Sequence, residues 1–277
     1  MGIALIVFVI LIGLSLLLSW RQLDHKADRA EMARLINQQP LTPASFQPAM
    51  VVDLPDPARR YFEYSILPGT PLYTVADIEM KGKFSLGARD HPNYMQMTAR
   101  QVLNAPQGFI WKMSGGAGLM RMSGSDSAGW TRFWIAGLVP VARLGGSPDH
   151  KRSAFGRYIA EAVFWTPAAL LPAENIEWHW VDTNTSMVTV HHHGISQDIY
   201  ITVTSEGQPV EVSFPRWSNA NPEGVHRTQP FGGYLSEFKE FAGFRLPTHV
   251  EAGNHFGTKD YFPFFIANVS EVRFPKP

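Results

Sequence analysis

The chain opens on one long uncharged run and then changes period twice. Ile3 to Trp20 reads IALIVFVILIGLSLLLSW, without a charge or a proline. At 1.5 Å rise per residue its 18 residues come close to crossing a hydrocarbon core of ~30 Å, which takes about 17–25 residues. Trp20 followed by Arg21 fits an interfacial anchor, an aromatic at headgroup level and then a cation. A cleaved signal peptide is the alternative. The segment has no basic start and no small-x-small cleavage site, because it ends Leu-Leu-Ser-Trp-Arg. Residues 1–21 are therefore expected to form a transmembrane anchor whose partner is the lipid bilayer, through residues 3–20. From Gln22 to Gln39, Leu23, Ala27, Ala30, Met32, Ala33, Leu35 and Ile36 recur at approximately helical spacing among charges, until Pro40 and Pro43 end the pattern. Residues 22–39 are expected to be a juxtamembrane helix acting as a solvated spacer.

From residue 40 the period falls to two. Leu54 to Tyr64 first reads as a short helix, with Asp56 as cap, Pro57 in the first turn and Pro68-Gly69 beyond its end. Then Ala76, Ile78, Met80 and Phe84 alternate with Asp77, Glu79, Lys81 and Lys83, a half-buried strand with one wet face. Met95, Met97, Ala99, Gln101 and Leu103 form the apolar side of the next strand, and Phe109, Trp111 and Met113 that of a third. Met120 and Met122, then Trp130 to Trp134, suggest a hairpin turning across Ser123–Gly129, and Gly137 to His150 reads as a loop crossing. Helical periodicity returns at Ser153–Leu171, where Phe155, Tyr158, Ile159, Ala162 and Val163 share a face, Ser153 is placed to cap, and Pro167 kinks or restarts the helix. The last hundred residues read as a meander. Ile176, Trp178 and Trp180 alternate with polar positions, and turn clusters recur every ~8–12 residues as in an antiparallel sheet. The expected fold class is α+β, mainly antiparallel β: a large curved sheet or half-barrel with a few helices, behind one transmembrane helix, with residues 40–277 as a single β-rich domain.

Composition narrows the function classes. Lys plus Arg is 24 and Asp plus Glu is 24, so the chain has no overall attraction for nucleic acid, and none is expected as a partner. Charged residues make up 17%, against ~25% in an ordinary soluble domain. Without cysteine there is no disulfide framework, thiolate nucleophile or Cys zinc site. The His191-His192-His193 run puts two imidazoles on one strand face, with Asp198 as the nearest third ligand, but it lacks an established metal spacing. No metal or cofactor is expected. No Gly-x-Ser-x-Gly elbow occurs, and Gly115-Gly116-Ala117-Gly118 lacks the Lys-Ser/Thr of a phosphate loop, so it reads as a hairpin tip. Arg157 and Glu161, at i and i+4, are a helix-stabilising pair or a polar site.

The richest signal is the supply of 18 Phe, 8 Trp, 8 Tyr and 10 Met. Methionine adapts to irregular apolar space, and Met95, Met97, Trp111, Met113, Phe155, Trp178 and Trp180 are the candidate lining of a ligand site. An ordinary core beneath a helix is the competing reading.

Arg157-Tyr158-Ile159-Ala160-Glu161, then Trp165-x-Pro167 and Leu170-Leu171-Pro172, resemble an uncharacterised bacterial family of membrane-anchored proteins, a domain of unknown function. Leu54–Phe62 and Gly108–Trp111 agree with it, and the likeness runs from about Pro40 to the C-terminus. It implies no activity. The ending Phe238-x-x-Phe241-x-Gly243-Phe244-Arg245-Leu246-Pro247 resembles the late hairpin of the lipoprotein-carrier fold of LolA, LolB and LppX-like proteins. That resemblance implies an open half-barrel over an apolar cavity, outside the cytoplasm. The cations after the span, Arg21, Lys26, Arg29 and Arg34, argue the opposite side by the positive-inside rule. The extracytoplasmic side is preferred, and the first expectation is non-enzymatic binding or carrying of a lipid or other apolar ligand. Two alternatives stand beside it: an envelope enzyme using Glu161, Arg157 and the histidines at 191–193, and a structural or partner-interaction module with an exposed apolar patch.

Overall fold

Period-two alternation over so many short segments builds one sheet. The computed structural model, which describes residues 2–276, contains thirteen strands, all paired antiparallel. Strands β1 (Val75–Ser85), β2 (Tyr94–Asn104), β3 (Gly108–Gly115), β4 (Met122–Ser127), β5 (Trp130–Ile135) and β6 (Val139–Gly145) walk outward from the middle to one edge. Helix α3 (Pro148–Trp165) then crosses a face of the sheet. Strands β7 (Ile176–Trp180), β8 (Thr185–His192), β9 (Ile195–Val203), β10 (Pro209–Ser218), β11 (Arg227–Phe241), β12 (Phe244–Asn254) and β13 (Phe262–Arg273) walk back inward from the other edge. The last strand thereby pairs with the first, Asp77 opposite Arg273 and Phe84 opposite Phe265. The sheet is open and curved, with β6 and β7 as its edges, and the α+β expectation with a dominant antiparallel sheet holds.

Alternation gives the sheet two different faces. Leu103, Phe109, Trp111 and Met113 point to the concave side, where α3 and α2 (Asp56–Ser65) cover the main core. Val75, Val102 and Ile110 point to the other side. That outer face is not left to solvent. Helix α1 runs unbroken from Gly2 to Ile36, and its second half lies along the outer face with Leu35 fully buried against Val75, Val102 and Ile110. Expecting a solvated spacer over residues 22–39 was therefore incorrect. The polar outer positions of β3–β6 are partners for the charges of α1. Asp24 meets Arg143 at 2.7 Å and accepts from Trp134 Nε1 at 2.8 Å. Asp28 accepts from Ser125 Oγ at 2.7 Å, with Lys112 at 3.4 Å. Just past the helix, Gln39 fastens the chain to β1: its Oε1 accepts from Thr74 N and Val75 N, and its Nε2 donates to Val75 O at 2.8 Å.

Four local expectations shift. Met122–Ser127 is strand rather than hairpin turn. Gly124 permits this, because a Cβ there would collide with the Arg132 carbonyl across the β4–β5 ladder. Gly137–His150 is not a loop: Val139–Gly145 forms an edge strand, the place where a residue such as Pro140 is tolerated. Helix α3 starts earlier, at Pro148, with the Ser147 hydroxyl accepting from His150 N. It ends at Trp165, and Pro167 opens a separate short 3-10 turn. In α2 the cap position is Pro55, and Asp56 instead pairs with Arg60 at 2.7 Å. Arg60 also donates to the carbonyls of Thr183 and Thr204, and Tyr61 hydroxyl donates to Val163 O at 2.6 Å. The Pro-Ala-Arg-Arg-Tyr stretch thus ties α2 to α3 and to the turns flanking β8 and β9.

The registers define two ends of the sheet. One holds the β1 terminus at Ser85, Gly115, Met122, Ile135, Val139 and Phe262; the other holds Val75, Gln107 and Gly145.

Candidate functional site: an apolar cavity with a polar floor

The concave core is not filled. Between α3 and the Ser85 half of the sheet lies a cavity of about 500 Å³. Its walls come from alternate positions of many strands: Trp111 and Met113 on β3, Phe133 on β5, Phe214 on β10, Phe231 and Leu235 on β11, Val250 on β12, Phe265 on β13. Ala160, Phe164 and Trp165 of α3 form the roof. Ala160 is small where the roof passes over the cavity, while the neighbouring positions are large. Leu86 and Val141 stand at the rim, exposed to solvent.

One side of the cavity is polar. Arg157 of α3 bridges two carboxylates, Asp126 Oδ2 at 2.5 Å and Glu161 Oε1 at 2.8 Å. Glu161 also accepts from Gln101 Nε2 on β2, and Asp126 accepts from the Thr131 hydroxyl. The Arg157 guanidinium lies over Phe109 at 4.7 Å and Trp111 at 5.3 Å from the ring centroids. Burial by itself would lower the Arg157 pKa, but Glu161 and Asp126 outweigh it and hold the group above its ordinary value. Arg216 of β10 faces the same space, with no ion pair among the described residues. Burial, and then the nearby charge of Arg157, push its pKa down to about 10, so it stays a cation at neutral pH. It rests over the Phe231 ring at 4.6 Å. Its Nε, Trp111 Nε1 and Trp165 Nε1 are buried donors without a hydrogen-bond partner among the described residues. A ligand bearing acceptor oxygens would satisfy donors that are otherwise costly to bury.

The residues singled out from sequence divide. Trp111 and Met113 line the cavity, and Arg157 and Glu161 meet at its polar side. Met95, Met97 and Phe155 pack in the core outside the cavity walls. Trp178 packs on Tyr61 and Phe62 beneath α2, its indole donating to Leu170 O at 2.9 Å. Trp180, at the end of edge strand β7, is 65% exposed. His191 lies on the surface beside Glu177 at 3.7 Å, and His192 stacks on Phe155, so the histidines do not join Glu161 in one cleft. Asp198 binds the Thr189 hydroxyl, and no group of three or more metal-ligating side chains occurs among the described residues. Arg216 escaped the sequence reading; Gln101 was placed on the inward side of its strand and Asp126 within the expected turn, without the partners they have here. The signal for Gln101 and Arg216 was an amide or charge in line with apolar residues of the same strand face, Ala99 and Leu103 or Phe214; Asp126, among serines and a glycine, carries no such signal.

A helix-roofed, mainly antiparallel sheet enclosing an apolar cavity, with an N-terminal helix long and apolar enough to cross a membrane, defines the class. Within it, the chain belongs to a family of unknown function, DUF6544, whose profile matches residues 44–266. No curated protein matches the sequence. Similar solved structures include a LolA superfamily protein from Nitrosomonas europaea, with 9% identity and TM-score 0.39 over 80% of this chain and 93% of that one. A domain from Vibrio parahaemolyticus described as an outer membrane lipoprotein-sorting protein has 11% identity and TM-score 0.36 over 72% and 85% of the two chains. A DUF1329 family protein from Desulfovibrio piger has 10% identity and TM-score 0.33 over 79% and 90%.

Proposed function

We propose that the protein binds a lipid or similar elongated amphiphile in the cavity, without converting it, while α1 holds the domain at a membrane. The cavity carries this reading. Protein interiors are ordinarily packed to crystal-like density, and a void of about 500 Å³ is in the range of small-molecule sites, ~300–1,000 Å³. Its walls of Phe, Trp, Met, Val and Leu offer apolar burial on the order of 25 cal/mol per Å². The unpartnered donors of Arg216, Trp111 and Trp165 supply a place for an oxygen-bearing or anionic end. The reading keeps the domain on the extracytoplasmic side. The cations that argue against this are partly engaged by the protein itself: Arg21 donates to Ser123 Oγ at 3.1 Å, and Arg34 pairs with Glu31 at 2.7 Å.

Mass spectrometry of the full-length protein, extracted in mild detergent and sprayed intact, is the test. A co-purifying adduct of lipid mass, or saturable uptake of a fatty acid by the delipidated protein, is expected. A clean apo spectrum together with no uptake of any acyl probe would overturn the reading.

A further inference from the structure

The direction of α1 and the position of the cavity mouth are independent features of the fold, and they point the same way. Trp20 packs edge-on to Trp134 at 5.5 Å between ring centroids, and Arg21 donates to Ser123 Oγ. Trp134 and Ser123 are paired residues near the Ser85 end of β5 and β4. At the other terminus of the helix, Arg34 donates to the carbonyl of Gln107 in the β2–β3 turn. Helix α1 therefore runs along the strands, and its apolar run leaves the domain at the Ser85 end. The cavity belongs to that same half of the sheet, with Leu86 and Val141 at its rim.

That end also carries exposed apolar side chains on three successive connections. Leu86 follows β1, Leu119 and Met120 sit between β3 and β4, and Val139 begins β6. Leu119 is 85% exposed and Leu86 61%. Leu119 and Arg21 border the same surface depression, beside Arg121. Apolar tips interleaved with arginines, at the level where Trp20 and Arg21 end an apolar helix, are the composition of a surface that lies in a bilayer interface.

We propose that the Ser85 end of the sheet rests in the headgroup and upper acyl layer of the bilayer that α1 enters, so that the cavity mouth opens onto lipid and exchanges ligand with it directly. The proposal rests on the reading of α1 as a membrane anchor and of the cavity as a lipid site, and commits to the bilayer as the occupant of this face.

The chain has no cysteine, so single-cysteine labelling is clean. Full-length Leu119→Cys, Val139→Cys and, as a control at the opposite end, Gln107→Cys are labelled with an environment-sensitive fluorophore. They are then reconstituted in phosphatidylcholine–phosphatidylglycerol vesicles. Lipids brominated on the acyl chain should quench positions 119 and 139 and spare 107, while aqueous iodide should do the reverse. Iodide quenching of all three sites alike overturns the proposal. Shielding of position 119 from both quenchers in an oligomeric protein also overturns it, in favour of a second copy on this face. Exchange is read separately with a fluorescent fatty acid. The double variant Leu119→Asp/Met120→Asp, which alters neither a cavity wall nor a core residue, should load about tenfold more slowly from vesicles and at an unchanged rate from detergent micelles. Equal loading from vesicles overturns direct exchange. Absence of loading from either source overturns the lipid-site reading instead, and leaves the quenching result to decide membrane contact alone.

Discussion

Asp24 of α1 and Arg143 of the edge strand β6 meet at 2.7 Å on the outer face of the sheet. The pair couples the helix that begins as an apolar run to the outermost strand of the first meander. Arg143 lies at the same time over the rings of Trp20 and Trp134, at 4.3 and 4.6 Å. Asp24→Asn removes the charge and leaves Arg143 and Arg132 without their carboxylate. With both partners partly screened by solvent, the expected loss is about 1–3 kcal/mol, read as a lower thermal midpoint of the purified protein.

The same carboxylate sets a pH signature. Burial alone would raise the Asp24 pKa, but hydrogen bonds from Arg143 and Trp134 and the charges of Arg143 and Arg132 hold it below the usual carboxylate value. A group with a depressed folded pKa stabilises fully above its unfolded pKa, near ~3.9 for aspartate, and loses that contribution as pH falls through the folded value. The stability gap between wild type and Asp24→Asn should therefore be constant above about pH 5 and narrow progressively below about pH 4. Denaturant titrations across this window check it; a gap that widens on acidification would contradict it.

Arg157→Met should be among the most damaging single substitutions. It leaves Asp126 and Glu161 facing each other in a mostly buried place without their shared cation, at a cost of about 3–5 kcal/mol. Adding Asp126→Asn and Glu161→Gln should return much of the loss, because the uncompensated charge then disappears. Urea midpoints of the single and triple variants measure this.

Ala160→Phe places a ring in the cavity from the roof. Uptake of an apolar fluorescent probe should fall by about tenfold or more, the equivalent of ~1.4 kcal/mol. The thermal midpoint should hold or rise, since the new ring gains contacts in space that has none. Unimpaired uptake would show that the probe binds elsewhere.

Arg216→Met separates the polar end of a ligand from its apolar body. Wild type should prefer a fatty acid over its methyl ester, and the variant should bind both alike. Folding stability should change little, because losing the contact with the Phe231 ring is offset by relief of a buried cation that has no ion pair among the described residues. Competition binding of acid and ester is the measurement.

Much of the architecture was legible because period-two alternation survives wherever one strand face is buried, as at Ala76–Phe84 or Ile199–Val203. It failed where both faces are covered. Ser123, Ser125 and Asp126 read as a turn because small and polar residues suit a turn, yet they form a strand whose outer side receives Arg21 and Asp28 of α1 and whose inner side receives Arg157. Arg157 and Glu161 were visible as an i, i+4 pair, whereas Gln101, Asp126 and Arg216 come from three distant strands and converge only through the register. The cavity itself leaves no local mark. It is a shortfall of volume summed over strands far apart in sequence, and neither the size of Trp111 nor the smallness of Ala160 reveals it alone.

The clamp of Gln39 on Thr74 and Val75, together with the two aspartates of α1, fastens the helix to the domain along its second half. With α1 in a bilayer, such a mount sets a fixed height and a fixed tilt. On the proposed reading, a domain held this way would not ferry cargo across an aqueous gap; it would drift only in the plane of its membrane. On that reading, whatever delivers to it or receives from it would have to arrive at that surface, which would make the encounter two-dimensional and dependent on the crowding of the membrane rather than on the volume of the compartment.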